Sequence, residues 1–264
     1  MTWEEAVLWL RNQKEMQALL RDGYYGEPLS EEWKRFQASR EWQAAKRLIG
    51  SAPHSRPRAL DLGAGRGIVS HALVREGWDV YAVEPDRSAV VGAQAIQGQK
   101  NRAIKICQGL GEQLPFPDAT FEVVICRAVL HHSRDLEKLC GEIQRVLKSG
   151  GRFLAMREHV ISRARDLPRF LDRHPLHHLY GGENAFTLRQ YRRAFALAGL
   201  RLCRELGPCC SDINLHPLTT EELIEKRRKK LGSWLPAGWA QRINQFRGRI
   251  SSEPGRLYTF FLTT

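Results

Sequence analysis

The 264-residue chain has no apolar run of membrane-spanning length. Its first twenty residues set Trp3, Leu8 and Leu10 among Glu4, Glu5, Arg11 and Lys14, a mixture that fits neither a signal peptide nor a transmembrane helix. Internal repeats and low-complexity tracts are missing too, which argues against repeat architectures and extended linkers. The six cysteines offer no metal-ligand pairs: Cys107, Cys126 and Cys203 fall in apparent strands, Cys140 in a helix, and Cys209 and Cys210 are adjacent. They read as reduced thiols of a cytoplasmic protein. The densest basic run, Lys226-Arg227-Arg228-Lys229-Lys230, has no interleaved aromatics, so a solvated helix face describes it better than a nucleic-acid surface.

What is present is a chain long enough to bury one large α/β core without staples, 42% hydrophobic and carrying a net charge of +12. That charge suits a nucleic acid, an anionic substrate or a negatively charged surface, and solubility alone also accounts for it. The organising stretch is Ala59-Leu60-Asp61-Leu62-Gly63-Ala64-Gly65-Arg66-Gly67. A short apolar run with an acid near its end breaks into three glycines, as a buried strand does when it turns sharply into a helix, here near Ile68 to Arg75. Glycines admit positive φ and close approach of a ligand to the backbone, and the helix offers its amide-rich N-terminus. A nucleotide-like cofactor fits that geometry, and so does a tight structural turn. Gly63, Gly65 and Gly67 recur at every second position, which is not the G-x-G-x-x-G of a dinucleotide loop, so a nicotinamide or flavin enzyme is disfavoured.

Taken in order, residues 1–57 form a helical cap. Trp3, Val7 and Leu10 share a face, Met16, Leu19 and Leu20 follow, and a further helix begins near Ser30 with Trp33 and Phe36 facing inward. Between them Tyr24 and Tyr25 lie in a loop that either connects helices or closes over a ligand. Pro53 and Pro57 separate the cap from a core, 58–157, in which strands and helices alternate as in a parallel sheet. The strands are Ala59 to Leu62, Val80 to Val83, Ala103 to Cys107, Phe121 to Cys126 and Arg152 to Met156, with a helix ahead of the last stopping at Gly150-Gly151. Glu84 ends the second strand, where an acid can accept both hydroxyls of a ribose, or simply sit in solvent before Pro85 with Asp86 capping the next helix.

Asp61-Leu62-Gly63-Ala64-Gly65-Arg66-Gly67, Glu84, Leu114-Pro115-Phe116-Pro117-Asp118, Phe121-Glu122-Val123-Val124, Leu130-His131-His132 and Leu147-Lys148-Ser149-Gly150-Gly151 occur in one order over about 58–157. Together they resemble class I S-adenosylmethionine-dependent methyltransferases, particularly the subgroup with quinone-biosynthesis C-methyltransferases and many small-molecule enzymes. The resemblance implies a Rossmann-like α/β fold: a seven-stranded, mostly parallel sheet with one antiparallel strand, the N-terminal cap and a helical insertion near the C-terminus. It implies S-adenosylmethionine as cofactor and S-adenosylhomocysteine as product, held by Asp61, Gly63, Ala64, Gly65, Gly67, Glu84, Pro85, Gly111, Glu112 and Arg127, with Asp61 toward the amino group. Such proteins often carry an aspartate two residues before the Glu112 position. Here Leu110 stands there, so adenine recognition leans on backbone groups near Gly111 and Glu112.

Residues 158–264 are expected to supply an acceptor-pocket insertion, a lid and the end of the sheet. Glu158, His159, His174, His177, His178, Tyr180 and Glu183 crowd the insertion, where loops after strand ends line the ligand crevice. Tyr24, Tyr25, His159, His174, His177 and Tyr180 are the candidate acceptor contacts. His174, His177 and His178 have metal-ligand spacing beside Glu183, but Pro175 argues against a helix there and the class I reaction needs no metal, so no metal is expected. Capping boxes open helices at Thr187 and Thr219, a sixth strand runs near Leu200 to Leu206, and Arg256 to Leu262 alternates into a final strand, antiparallel by the resemblance. Residues 221–250 hold eight basic and three acidic side chains with Trp234 and Trp239, suiting a cover for the acceptor, an anionic attractant or a solvated appendage. If the acceptor is a hydroxyl, a base must take its proton, and His132 leads His131 and His178 for that task. The expected activity is methyl transfer to oxygen, nitrogen or carbon of a small molecule. An RNA or protein methyltransferase using the basic tail, or a noncatalytic cofactor-binding regulator, are the alternatives.

Overall fold

In the computed structural model, which describes residues 1–52, 56–99 and 103–264, the apolar strands lie side by side in a single sheet. Pro53 falls outside the described residues. Four helices come first: α1 (Trp3–Arg11), α2 (Gln17–Gly23), α3 (Leu29–Ala38) and α4 (Arg40–Ile49). The core continues through β1 (Arg58–Leu62), α5 (Ile68–Arg75), β2 (Asp79–Glu84), α6 (Ala93–Gln97), β3 (Ile104–Gln108), β4 (Phe121–Arg127), α7 (Leu136–Val146) and β5 (Leu147–Ile161). Then follow α8 (Leu167–Arg173), α9 (Pro175–Tyr180), β6 (Phe186–Thr187), α10 (Leu188–Leu197), β7 (Arg201–Leu206), α11 (Asp212–Leu215), α12 (Thr220–Leu231), α13 (Ala237–Ile250) and β8 (Arg256–Thr263). Strand order is β3-β2-β1-β4-β5-β8-β7, parallel from β3 to β5, with β8 antiparallel to both neighbours. The two-residue β6 pairs with the far end of β5 and makes the sheet eight-stranded.

Alternation along each strand sends side chains to two separate cores. Ala59, Val80, Ala82, Val123, Ile125, Leu154 and Met156 pack with Trp33, Phe36, Trp42 and Leu73 from α3, α4 and α5. Leu60, Leu62, Val124, Cys126, Phe153 and Phe260 pack on the other face with Leu139, Ile143, Tyr191 and Phe195 from α7 and α10. Each large side chain buried in this way stabilises the fold by about 1.5–3 kcal/mol. A third cluster, Val7, Leu10, Leu20 and Val91 with Trp3, Tyr25, Leu176 and Leu179 packed on it, brings α1, α2 and α9 together.

Three local expectations are corrected. The helix before β5 ends at Val146, and Leu147 already pairs with Phe121. Gly150 and Gly151 lie in a bulge of β5, where a Cβ on Gly151 would come within 2.7 Å of the Lys148 carbonyl oxygen. Asp86 caps no helix: its Oδ1 accepts from Ser88 N at 2.8 Å, and α6 begins only at Ala93. Pro175 starts α9 as its first residue, where its missing N–H costs nothing, so His177 and His178 are helical after all. The capping boxes at Thr187 and Thr219 are present, closed by Gln190 and Glu222.

Candidate active site

A cavity of about 840 Å³ opens at the carboxyl ends of β1 and β4, where the strand order reverses. Leu62 and Gly63 reach it from β1, Arg127, Ala128 and Val129 from β4. Gly63 N and Ala64 N donate to Val83 O at 2.8 and 3.1 Å, anchoring the glycine loop on β2. Gly63 has φ +70°, and a Cβ there would lie 2.5 Å from Val129 Cγ2. Glycine is therefore required both by conformation and by the close approach of the two strand ends.

Glu84 joins loop and strand. Its Oε2 accepts from Gly65 N at 2.7 Å and its Oε1 from Asp86 N at 2.9 Å. Burial pushes its carboxyl up to about 7, against the pull of those two bonds. Pro85, Gly111, Glu112 and Leu110 share the same end of the cavity, Leu110 with 57% of its surface exposed. Glu112 Oε1 accepts from Arg134 N at 3.0 Å, which ties this wall to the start of the α7 region. Asp61, Ala64 and Gly67 are not among the cavity's lining residues. Asp61 is 1% exposed, accepts from Ser70 Oγ at 2.6 Å, and is raised to about 6 by burial. A Cβ on Gly67 would meet Ile96 at 2.9 Å, so this glycine serves packing. Arg127 lines the cavity with its guanidinium already bound, Nε to Glu41 Oε1 at 2.7 Å and Nη2 to Glu41 Oε2 at 3.2 Å.

The opposite end is built on Glu158, which is fully buried in β5. It accepts from Val129 N and His131 N, both at 3.1 Å, and lies 2.7 Å from His131 Nδ1. Burial raises its carboxyl to about 7. The same carboxylate thus fixes the loop after β4 and the ring it presents. His132 follows, its Nδ1 2.9 Å from Gly182 O. His159, His174, Tyr180 and Glu183 complete this end, with Tyr180 Oη donating to Glu183 at 2.6 Å. Burial pushes the His131 and His159 imidazoles well below their usual range, with neighbouring rings adding to it. Burial works against the Glu183 carboxylate, but His132, His174 and the Tyr180 hydroxyl outweigh it and hold the group below its ordinary value.

The other candidates are placed elsewhere. In α9, Leu176 and Tyr180 sit one turn apart and face the cavity; His177 and His178 are not among its lining residues, and His178 Nε2 is 2.6 Å from Asp172 O. Tyr24 is in the core, stacked on His216 and edge-on to Phe36, whereas Tyr25 lines the cavity. No described residue of 211–255 lines the cavity; the cover comes from the N-terminal helices through Trp3, Leu10, Leu19 and Leu20. Trp3 packs on Tyr25 at 5.1 Å and on Tyr180 at 4.8 Å between ring centroids. Sequence reasoning placed Trp3 only on the apolar face of a cap helix and missed the bonding roles of Glu158 and Arg66. Arg66 reaches out of the glycine loop to Tyr24 O, Gly26 O and Glu27 at 3.3, 2.8 and 2.6 Å. A charged residue between loop glycines was the available signal.

Comparison with known proteins agrees with this geometry. Residues 60–155 match the model of a methyltransferase domain. An uncharacterized methyltransferase of Bacillus subtilis, YcgJ, is 37% identical over 98 residues, which is 37% of this chain and 39% of the relative. Demethylmenaquinone methyltransferase of Thermobifida fusca is 32% identical over 116 residues, 44% of this chain and 49% of the relative. The chain thus matches less than half the length of these curated relatives. Among solved structures, YcgJ superposes with a TM-score of 0.54 at 21% identity, covering 84% of this chain and 96% of that one. Geranyl diphosphate C-methyltransferase of Streptomyces coelicolor, solved with Mg²⁺, geranyl diphosphate and S-adenosyl-L-homocysteine, gives 0.60 at 16% identity, covering 90% and 84%. The domain match lies over the glycine loop, Glu84 and the strand order described above, so residues 60–155 carry a methyltransferase domain.

Proposed function

We propose that the chain transfers the methyl group of S-adenosylmethionine to a small-molecule acceptor and releases S-adenosylhomocysteine. The observation that carries this reading is the continuity of one cavity from the glycine loop and Glu84 to the histidine-rich end. A sulfonium methyl is already activated, so the protein's main contribution is alignment of an oxygen, nitrogen or carbon nucleophile and exclusion of water. Glu84 and the close backbone approach that Gly63 and Gly65 permit hold the donor. Trp3, Leu10, Leu20 and Leu176 give the cover an apolar lining. His132 is the base for a hydroxyl acceptor: when its Nδ1–H donates to Gly182 O, Nε2 carries the lone pair. A small acceptor is favoured over RNA because the basic run 226–230 lies on α12, away from the cavity lining.

Calorimetry with S-adenosylmethionine and S-adenosylhomocysteine tests the donor. Gly65 faces the cavity with φ +51°, and Gly65→Arg is expected to abolish binding of both while a cooperative thermal transition persists. Unchanged affinity in that variant, or tighter binding of a nicotinamide dinucleotide by the wild type, overturns the reading.

A further inference from the structure

We propose that His131, His159 and Glu183 form a site for a single divalent transition-metal ion at the acceptor end of the cavity. One ligand atom from each lies within 4.8 Å of the others. Around a tetrahedral ion with nitrogen and oxygen ligands such atoms stand roughly 3.3–3.6 Å apart, so the cluster is within about 1.5 Å of closure. The grouping differs from the one suggested by sequence spacing, because His131 comes from the turn that follows β4 and His159 from β5, brought together by the parallel pairing of those strands.

The outer partners carry the argument further. His131 Nδ1 lies 2.7 Å from Glu158 Oε2, which also accepts the His131 amide, so Nδ1–H is assigned as the donor to that carboxylate, and His159 Nδ1 lies 3.2 Å from Gly255 O, which can only accept. Both rings therefore spend Nδ1–H on an acceptor and leave Nε2 as the lone-pair nitrogen, the tautomer that a carboxylate or carbonyl behind a ligating histidine selects. His131 Nε2 points toward Glu183, with Oε2 at 3.9 Å. Glu183 is itself oriented by the Tyr180 hydroxyl. His174 Nε2, also 3.9 Å from Glu183 Oε2, puts a fourth donor within reach.

Two imidazoles and one carboxylate select Zn²⁺ or Fe²⁺ over Mg²⁺ or Ca²⁺, which prefer oxygen ligands throughout. All three residues line the cavity, so remaining positions on the ion face the space where an acceptor binds. Coordination there would lower the pKa of an acceptor hydroxyl and fix its oxygen; this role rests on the methyltransferase reading, whereas binding of the ion does not.

The test uses the full chain, treated with a chelator, dialysed, and titrated with Zn²⁺ and with Co²⁺ as a visible-absorbing probe. One equivalent is expected to bind without thiolate charge-transfer absorption. Glu183→Gln and His159→Asn should each weaken binding by at least about tenfold, and Cys209→Ser should leave it unchanged. Two different ligands are replaced so that poor folding of one variant leaves the other informative, and thermal transitions without metal verify both. Wild-type affinity in both folded variants, a thiolate band lost in Cys209→Ser, or no binding at tens of micromolar metal overturns the site. S-adenosylhomocysteine affinity, measured on the same samples, reports the donor reading separately.

Discussion

Glu84 Oε2 accepts the amide proton of Gly65 at 2.7 Å, so the acid at the end of β2 and the middle of the glycine loop form a single unit. With a carboxyl raised to about 7 by burial, this unit changes charge in the neutral range. A ribose diol donates to the ionised form only, so protons compete with the donor. Affinity for S-adenosylmethionine is expected to be full above pH 8 and to fall toward tenfold per unit below about pH 7. Glu84→Gln should bind more weakly at pH 8 and lose that slope; calorimetric affinities between pH 5.5 and 8.5 make the comparison.

Gly63→Ala should destabilise the protein by about 1–3 kcal/mol, because the residue holds φ +70° and its new methyl would meet Val129 Cγ2 at 2.5 Å. Pairing it with Val129→Ala removes the clash and leaves the backbone strain. Denaturant unfolding of the two single variants and the double variant should then show a favourable coupling, and strict additivity would argue that no such contact exists.

Trp3 closes the cavity through two ring contacts, each worth roughly 0.5–1.5 kcal/mol beyond area. Trp3→Ala is expected to raise the acceptor KM several-fold and to increase wasteful solvent access, with little change in the thermal transition because α1 is peripheral to the two sheet cores. Steady-state kinetics with the acceptor varied and the donor saturating test this.

His132→Ala should lower kcat for a hydroxyl acceptor by about 10²–10⁴ and leave the S-adenosylhomocysteine affinity intact, since the ring's hydrogen bond runs to Gly182 O and not to Glu84 or the glycine loop. Full turnover in this variant would remove the base from His132.

The sheet was legible because burial on both faces leaves continuous apolar runs, and the glycine loop because only glycine tolerates its backbone. The glycine-loop end of the cavity was legible for the same reason: Glu84 and Gly63 are neighbours through a short, parallel strand pair. The histidine-rich end was not. His131, His159 and Glu183 are separated by 28 and 24 positions and meet only through the β4–β5 register and the path after α9, which no local spacing encodes. Tyr24 and Tyr25 show the limit most plainly, since the left-handed turn at Tyr24 sends one ring into the core while its neighbour faces the cavity.

Arg66 gives the cap a second consequence. Its backbone carbonyl receives the Trp33 indole N–H at 2.8 Å, and its guanidinium grips the segment from Tyr24 to Glu27. If, as the proposed function requires, the cap moves to admit an acceptor, these bonds transmit that movement to the glycine loop. The two ligands are expected to be linked thermodynamically, each changing the other's affinity by one common factor, and the order in which they enter and leave then follows from the way the chain's first fifty residues are fastened.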